Sequence, residues 1–185
     1  ARSLRPLFDS GKTQADWVRA LNIQPGDQVL NVLVGDGRQI WQLPAHGRYY
    51  GTDDAAGMLD RCTKNARPWG RPVELSRAQA GLLPYRDNTF DSVFYVGSVH
   101  LLGDQCQAIR EMLRVAKPGA QVMIVDKAAR EIQEQYRKII QMGRCVCDAS
   151  IDRAQLYAPA RFVPEEIRDV EVKLMGNGSI YRLSF

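Results

Sequence analysis

Short apolar runs alternate with helical patterns along most of this chain. The first run, residues 28–34, is rich in β-branched side chains, which predicts a strand buried on both faces. The same reasoning predicts four more strands, at residues 48–52, 73–76, 92–96 and 121–126. Because strands and helices alternate, the pattern predicts a parallel sheet with helices on both of its faces.

Apolar residues at helical spacing predict four helices, at residues 13–21, 56–65, 105–116 and 131–142. A further short helix after the first strand is expected to end at Pro44. Two last strands are predicted at residues 170–175 and 179–185. Gly176-Asn-Gly178 joins them, and an Asn-Gly pair is typical of a tight hairpin, so the end of the chain adds an antiparallel edge.

The length of 185 residues suits one domain with a single sizeable core. Hydrophobic residues make up 45% and charged residues 25% of the chain, a balance typical of soluble globular proteins. No apolar run approaches the roughly 20 residues that span a bilayer, and no apolar core of a signal peptide follows residues 1–6. We therefore expect a cytoplasmic protein without a membrane span.

The distribution of charge argues against a nucleic-acid partner, and the spacing of the cysteines argues against a bound metal ion. The formal net charge is +4, but the richest basic segment, 127–144, also carries Glu131 and Glu134, which is typical of a solvated helix face rather than a nucleic-acid surface. Cys145 and Cys147 are close in sequence, but a zinc site usually has Cys-x2-Cys spacing and a second pair, which this sequence lacks. We expect reduced thiols and no metal site.

The candidate chemistry follows the first strand. Gly35 and Gly37 lack a Cβ, so the backbone there can turn sharply and let a ligand lie against the main chain. Asp53 lies 20 residues after Leu33 and ends the second predicted strand, where a carboxylate can accept hydrogen bonds from both hydroxyls of a ribose. The turn and the spacing together predict a nucleotide-type site.

Four blocks of sequence, at residues 29–37, 51–59, 83–91 and 111–119, carry a family resemblance. They include the stretches Leu-Pro-Tyr and Leu-Arg-Val-Ala-Lys-Pro-Gly. The blocks resemble the class I S-adenosylmethionine-dependent methyltransferases of the small-molecule branch, with a type 11 methyltransferase domain. This resemblance implies a Rossmann-like, doubly wound, mostly parallel α/β sheet of seven strands with an antiparallel C-terminal hairpin. It also implies S-adenosylmethionine as the cofactor and S-adenosylhomocysteine as the product.

The resemblance assigns expected roles to single positions. Gly35 and Gly37 would pass under the methionine part of the cofactor, and Asp53 would hold the ribose hydroxyls. The complete set of expected cofactor-binding residues is Asn31, Gly35, Gly37, Asp53, Asp54, Met58, Gln79, Ala80, Tyr95 and Val96. His100 matches a histidine often seen near the acceptor and is the candidate catalytic base; the favoured alternative is a histidine that caps or packs at a helix start.

Four positions depart from the family pattern. Leu33 stands in place of a glycine and can crowd the methionine carboxylate, and Asn31 stands in place of an acid that helps to hold the cofactor's ammonium. A charge-assisted hydrogen bond is roughly twice as strong as a neutral one, so Asn31 weakens that contact. Asp54 occupies a position that is usually apolar against adenine, and Gln79 replaces an aspartate that accepts from the adenine amino group.

These features favour an S-adenosylmethionine-dependent methyltransferase that transfers a methyl group directly to a small-molecule acceptor. The alternative is a non-catalytic protein of the same fold, with a degenerate cofactor site, that binds a ligand or a partner protein. A nicotinamide-dependent oxidoreductase is disfavoured because the third glycine of the dinucleotide fingerprint is missing. We expect one domain, residues 1–185, divided into an N-terminal helical cap region, a cofactor-binding core, and a helix with the terminal hairpin, at residues 1–25, 27–127 and 128–185.

Overall fold

Five parallel strands form the centre of the computed structural model, in the spatial order β3-β2-β1-β4-β5. The strands are β1 (Gln28–Asn31), β2 (Arg48–Asp53), β3 (Val73–Arg77), β4 (Phe90–Val96) and β5 (Ala116–Lys127). The structure describes residues 18–70, 72–97, 102–127, 163–164, 167, 171–175 and 180–184. The predicted Rossmann-like parallel sheet is thereby confirmed, and the strand order reverses between β1 and β4.

After β1, the helices in the described residues are α1 (Arg38–Trp41), α2 (Ala56–Ala66) and α3 (Gln105–Val115), and a 3-10 turn (Arg67–Trp69) follows α2. Residues 18–20 are also helical, which agrees with the end of the helix predicted at residues 13–21. The ends of α2 and α3 agree with the predicted helices to within one residue. Asp104 caps α3, because its side chain accepts a hydrogen bond from Gln107 N at 3.0 Å. Residues 13–17 and 131–142, where further helix was predicted, lie outside the described residues.

The first strand is shorter than the sequence predicted. The apolar run continues to Val34, but β1 ends at Asn31 because Leu33 adopts a left-handed φ of 50°, which begins a turn. Val34 N donates to Thr52 O at 2.7 Å, so the turn stays attached to β2. Hydrophobicity alone does not distinguish a buried turn from a buried strand, and for this reason the pattern predicted a β1 that extends three residues too far.

Apolar side chains bury both faces of the sheet. One core cluster joins Leu30 and Val93 of the strands to Met112 of α3, and all three are 0% exposed. The cluster on the opposite face includes Val29 and Phe94, which are also 0% exposed. Burial on both faces explains why these strands are continuous apolar runs rather than alternating ones.

Two further strands, β6 (Glu171–Met175) and β7 (Ile180–Ser184), lie beyond β5 in the sheet. The strand β7 pairs antiparallel with both β5 and β6. The connecting residues 176–179 lie outside the described residues, so the Asn-Gly hairpin turn stays a prediction.

The crossover from β3 to β4, residues 78–89, is described throughout and contains no helix, so its backbone needs hydrogen-bond partners elsewhere. Two side chains of α3 provide them. Glu111 Oε2 accepts from Leu83 N at 2.7 Å, and Arg114 donates from Nη2 to Leu83 O at 3.1 Å and from Nη1 to Tyr85 O at 2.9 Å. We call Glu111 and Arg114 the α3 clamp.

The clamp is an ion pair with a buried acid. Arg114 donates from Nε and Nη2 to the two oxygens of Glu111 at 2.6 and 2.8 Å, and Glu111 is only 7% exposed. The Arg114 hydrogen bonds hold the pKa of Glu111 below its ordinary value; burial opposes this effect and the Leu83 amide adds to it. Glu111 and the more exposed Asp87, which accepts from Arg114 Nη1 at 2.7 Å, raise the pKa of Arg114.

Glu111→Gln should lower the free energy of unfolding at neutral pH by about 1–3 kcal/mol, because it removes the charge from the bonds to Arg114. The folded-state pKa of Glu111 lies below the ordinary value of 4.5, so ionised Glu111 contributes its full stabilisation of the fold at pH values above 4.5. This stabilisation is lost as the pH falls from 4.5 through the folded-state pKa, so the gap in the free energy of unfolding between wild type and variant should shrink as the pH falls below 4.5. Urea denaturation over this range measures the gap; a constant gap contradicts the prediction.

Candidate functional site

A buried carboxylate joins the turn after β1 to the end of β2. Asp53, the last residue of β2, is 6% exposed; its Oδ2 accepts from Gly35 N at 2.9 Å and its Oδ1 from Ala55 N at 3.0 Å. Each carboxylate oxygen offers about two lone-pair positions, so these two bonds leave acceptor capacity on both oxygens. Asp53 therefore shapes the turn and can still bind hydroxyl groups at the carboxyl edge of the sheet.

The two glycines of the turn have different surroundings. A Cβ at Gly35, where φ is 58°, would meet no described atom within 4 Å, so Gly35 borders open space. A Cβ at Gly37, where φ is 85°, would lie 2.6 Å from Cys62 Sγ and 3.5 Å from Trp41 Nε1. Gly37 therefore lets the turn pack closely on α2, and Gly35 leaves room for a ligand.

The expected residues of β4 lie at the reversal point of the sheet, beside β1. Tyr95 is 2% exposed in the cluster on the α3 side, and Val96 is 9% exposed in the cluster on the other face. Their side chains therefore lie in the core, on opposite faces of the sheet. Only their backbone, at the end of β4, is available to the crevice where ligands of such sheets bind.

The expected residues that follow β2 lie on its exposed rim. Asp54 is exposed, and its backbone oxygen accepts from Arg77 Nε of β3 at 2.9 Å. Met58, in the first turn of α2, is 39% exposed, which is unusual for a large apolar side chain in the described residues. A polar and an apolar side chain thus stand together at this rim.

The crossover after β3 is attached to the same edge. Ala78 N donates to Asp53 O at 3.1 Å, so Gln79 and Ala80, the next residues in the chain, begin beside the end of β2. Gln79 is exposed, whereas Ala80 is 3% exposed and belongs to the core cluster on the α3 side. Gln79 can therefore offer its side chain to a ligand and Ala80 its backbone.

Asn31 places an unused hydrogen-bond donor at the end of β1. It is 1% exposed, and its Nδ2 has no hydrogen-bond partner among the described residues. A buried polar group without a partner costs about 1–3 kcal/mol. Because an amide can be turned over, the same position can present either the nitrogen or the oxygen to a ligand.

Leu33 holds the turn in a strained conformation. Its φ of 50° lies in the left-handed region, which costs a residue with a Cβ roughly 1–2 kcal/mol. Its half-buried side chain packs against the core cluster on the α3 side. Strain of this kind persists only where surrounding contacts maintain it, and it is concentrated at functional sites.

His100, Cys145 and Cys147 lie outside the described residues, so the predicted base and its alternative stay predictions. In the part of the chain that the structure describes, no group of three or more His, Cys, Asp or Glu is arranged to hold a metal ion. The helices of this part are all too short or too polar to cross a membrane.

Sequence reasoning gave no role to the α3 clamp or to Cys62 as the partner of Gly37. The clamp had a local signal, since Glu111 and Arg114 are three residues apart on one helix face. Their contact with Leu83, 28 residues away from Glu111, had no such signal.

The fold and this edge of the sheet define a class of protein. A parallel sheet with a glycine turn after its first strand and a carboxylate at the end of the second is typical of nucleotide-binding α/β domains. The model of the methyltransferase domain family matches residues 30–124, more than half of the chain. The chain belongs to this family, within the class I S-adenosylmethionine-dependent methyltransferases.

Curated relatives are similar over the same region. The ubiquinone/menaquinone biosynthesis C-methyltransferase UbiE of Bdellovibrio bacteriovorus is 31% identical over 112 residues, which cover 59% of this chain and 48% of the relative. The demethylmenaquinone methyltransferase of Corynebacterium urealyticum is 35% identical over 109 residues, which cover 58% of this chain and 45% of the relative. The chain thus spans about half the length of the curated relatives it matches.

Solved structures share the fold. An S-adenosylmethionine-dependent methyltransferase from Aquifex aeolicus has a TM-score of 0.66 and 19% identity, with 96% of this chain and 89% of that chain covered. A methyltransferase from Geobacter sulfurreducens, solved with S-adenosyl-L-homocysteine, has a TM-score of 0.54 and 19% identity, with 64% of this chain and 49% of that chain covered. At 19% identity, these similarities show that the chain shares the fold of the two proteins.

The surroundings of the two glycines predict unequal effects of alanine. Gly37→Ala should lower the free energy of unfolding by about 2–4 kcal/mol, because left-handed strain and a clash with Cys62 add together. Gly35→Ala introduces left-handed strain but no clash, so it should lower the free energy of unfolding by about 1–2 kcal/mol. Urea denaturation measures both. Adding Cys62→Ala should reduce the loss caused by Gly37→Ala but not the loss caused by Gly35→Ala; equal losses at the two glycines contradict this account.

Proposed function

We propose that this chain is an S-adenosylmethionine-dependent methyltransferase that transfers the methyl group directly to a small-molecule acceptor. The observation that carries the proposal is the buried Asp53 carboxylate, which accepts a hydrogen bond from the backbone N–H of Gly35, a residue that itself borders open space. Relatives named for ubiquinone, menaquinone or demethylmenaquinone methylation support an enzyme over the non-catalytic alternative. The same names support a small-molecule acceptor.

The residues at this edge fit the cofactor. Asp53 would accept from the ribose hydroxyls with the capacity that its two backbone bonds leave. Gly35 would leave room for the methionine part, and the unpartnered amide of Asn31 would bind its amino-acid end, by Nδ2 to the carboxylate or by the turned-over oxygen to the ammonium. Gln79 and Ala80 would meet the base. The rest of the proposed site is Gly37, Asp54, Met58, Tyr95 and Val96.

Bound S-adenosylmethionine supplies an activated sulfonium methyl, so the protein needs little covalent chemistry of its own. The part of this chain is to align the acceptor with that methyl and to exclude water from the crevice. The carboxylate of Asp53 at the edge of the sheet favours a positively charged ligand there. His100, which follows β4 in sequence, would remove a proton from the acceptor.

We also propose the domain organisation expected from the sequence. Residues 27–127 form the cofactor-binding core, residues 1–25 a helical cap region, and residues 128–185 a helix and the antiparallel hairpin that completes a seven-stranded sheet. The antiparallel pairing of β6 with β7 supports the hairpin. A cytoplasmic location is proposed on composition, which is that of an ordinary globular protein.

Calorimetric titration should detect S-adenosylhomocysteine binding to the wild type with a Kd below about 1 mM. Asp53→Asn should raise that Kd at least about tenfold, because an amide accepts through one oxygen and its NH2 opposes a backbone N–H. Asp91→Asn is the matched control: Asp91 Oδ2 also accepts a backbone amide, from Gln28 N at 2.9 Å, but at the amino end of β4. An unchanged Kd in Asp53→Asn contradicts the proposed role of Asp53.

Leu33→Gly should strengthen binding of S-adenosylhomocysteine. The change relieves roughly 1–2 kcal/mol of left-handed strain, but loses half-buried contacts and adds about 0.5–1 kcal/mol of chain entropy. The free energy of unfolding should therefore change by less than about 1 kcal/mol, whereas removing the side chain should lower the Kd at least about threefold. Titration and urea denaturation of both proteins check this. A Kd that rises or stays the same excludes crowding by Leu33.

A further inference from the structure

The segment 79–82, which we call the arch, crosses the carboxyl edge of the sheet without regular structure. One end is fixed at Ala78, whose N–H donates to Asp53 O at 3.1 Å. The other end is fixed at Leu83, which is 3% exposed in the core. The position of the arch over the proposed site is therefore set by the partners of these two residues.

The α3 clamp fixes the second end of the arch. Both backbone groups of Leu83 are bound by it, the N–H by Glu111 Oε2 at 2.7 Å and the oxygen by Arg114 Nη2 at 3.1 Å. Gln107, one turn earlier on α3, donates from Nε2 to Gly81 O at 3.4 Å and supports the arch from the same side. Because the crossover has no helix, these side-chain bonds replace the backbone ladder that a helix would provide.

Hydrogen bonds connect the glycine turn to the clamp through the arch. Gly35 N donates to Asp53 Oδ2 at 2.9 Å, and Ala78 N, at the start of the arch, donates to the backbone oxygen of Asp53. The clamp then holds the end of the arch at Leu83. We therefore expect a change at the clamp to act on the end of the arch at Leu83 before it acts on Asp53.

We propose that Glu111 and Arg114 are positioning residues of the cofactor site, which hold the arch where Gln79 and Ala80 meet the base of the cofactor. This inference rests on the proposed function. The rigid guanidinium fork suits the role, because it reaches Leu83 O, Tyr85 O and both Glu111 oxygens at once. A lysine has a single nitrogen and cannot keep all of these bonds.

The competing explanation is that the clamp only stabilises the fold. Lys117 provides the matched control, because its Nζ forms an ion pair with Asp91 Oδ1 at 2.7 Å and its side chain is 39% exposed, close to the 31% of Arg114. This pair lies at the amino end of β4, away from the arch. Lys117→Met therefore removes an ion pair without touching the proposed site.

Arg114→Lys should raise the Kd of S-adenosylhomocysteine about tenfold, measured by titration at a temperature where the variant is folded. Lys117→Met should leave the Kd within about twofold of the wild type. If Arg114→Lys does not fold, Glu111→Gln takes its place in the titration. This variant keeps an acceptor oxygen for Leu83 N. A folded clamp variant with wild-type affinity, or an equal loss in Lys117→Met, overturns the proposal.

Hydrogen exchange of the ligand-free protein separates failure of this inference from failure of the proposed function. In Arg114→Lys the backbone amides of residues 79–83 should exchange at least about tenfold faster than the loss of global stability explains, while those of β1 and β4 should accelerate only by the factor that corresponds to the change in the free energy of unfolding, measured by urea denaturation. Unchanged exchange in the arch overturns the positioning role, whether or not ligand binds. Absence of S-adenosylhomocysteine binding to the wild type would instead refute the proposed function.

Discussion

One carboxylate determines the geometry of the proposed crevice. The side chain of Asp53 accepts from the turn after β1 and from the start of α2, and its backbone oxygen accepts from the residue after β3. Backbone pairing between the strands ends near these three segments, and unpaired N–H groups there would be costly if buried. Because Asp53 satisfies all three, segments that follow three different strands are held at one place.

The strands and the longer helices were predictable because their signals are local. Apolar runs and helical spacing report burial on one element, so α2 and α3 were placed to within a residue. The early end of β1 was not predictable, because Leu33 is as apolar as a strand residue and takes a positive φ. The spacing of Leu33 and Asp53 predicted that the glycine turn and this carboxylate lie together, and Gly35 N does donate to Asp53; that a nucleotide binds there stays a prediction.

The supporting contacts of the site could not be predicted in the same way. Glu111 reaches Leu83 across 28 residues, and neither residue type specifies the other. The packing of Gly37 on Cys62 likewise depends on how α2 lies against the turn, and no sequence pattern encodes that distance. The two glycines looked equivalent in sequence, and only the structure shows that Gly35 borders open space whereas Gly37 is a packing contact.

The edge of the sheet also carries a strained residue and a buried polar group without a partner in the described residues. Leu33 is held in a left-handed conformation, and the buried Nδ2 of Asn31 has no partner in the described residues. The strain costs roughly 1–2 kcal/mol and the unpartnered amide about 1–3 kcal/mol, and a stable fold tolerates such costs where the surrounding contacts are strong enough to maintain them. Here the anchoring of the turn by Asp53 and Thr52 provides those contacts.

The packing of Cys62 against Gly37 gives the protein a native chemical reporter. Cys62 is 1% exposed, and burial raises the pKa of its thiol to about 11, so only about one molecule in ten thousand carries the reactive thiolate at pH 7. A movement of the glycine turn away from α2 would expose this sulfur to alkylating reagents. The labelling rate of one native side chain would thus count how often the crevice loosens, without any engineered probe.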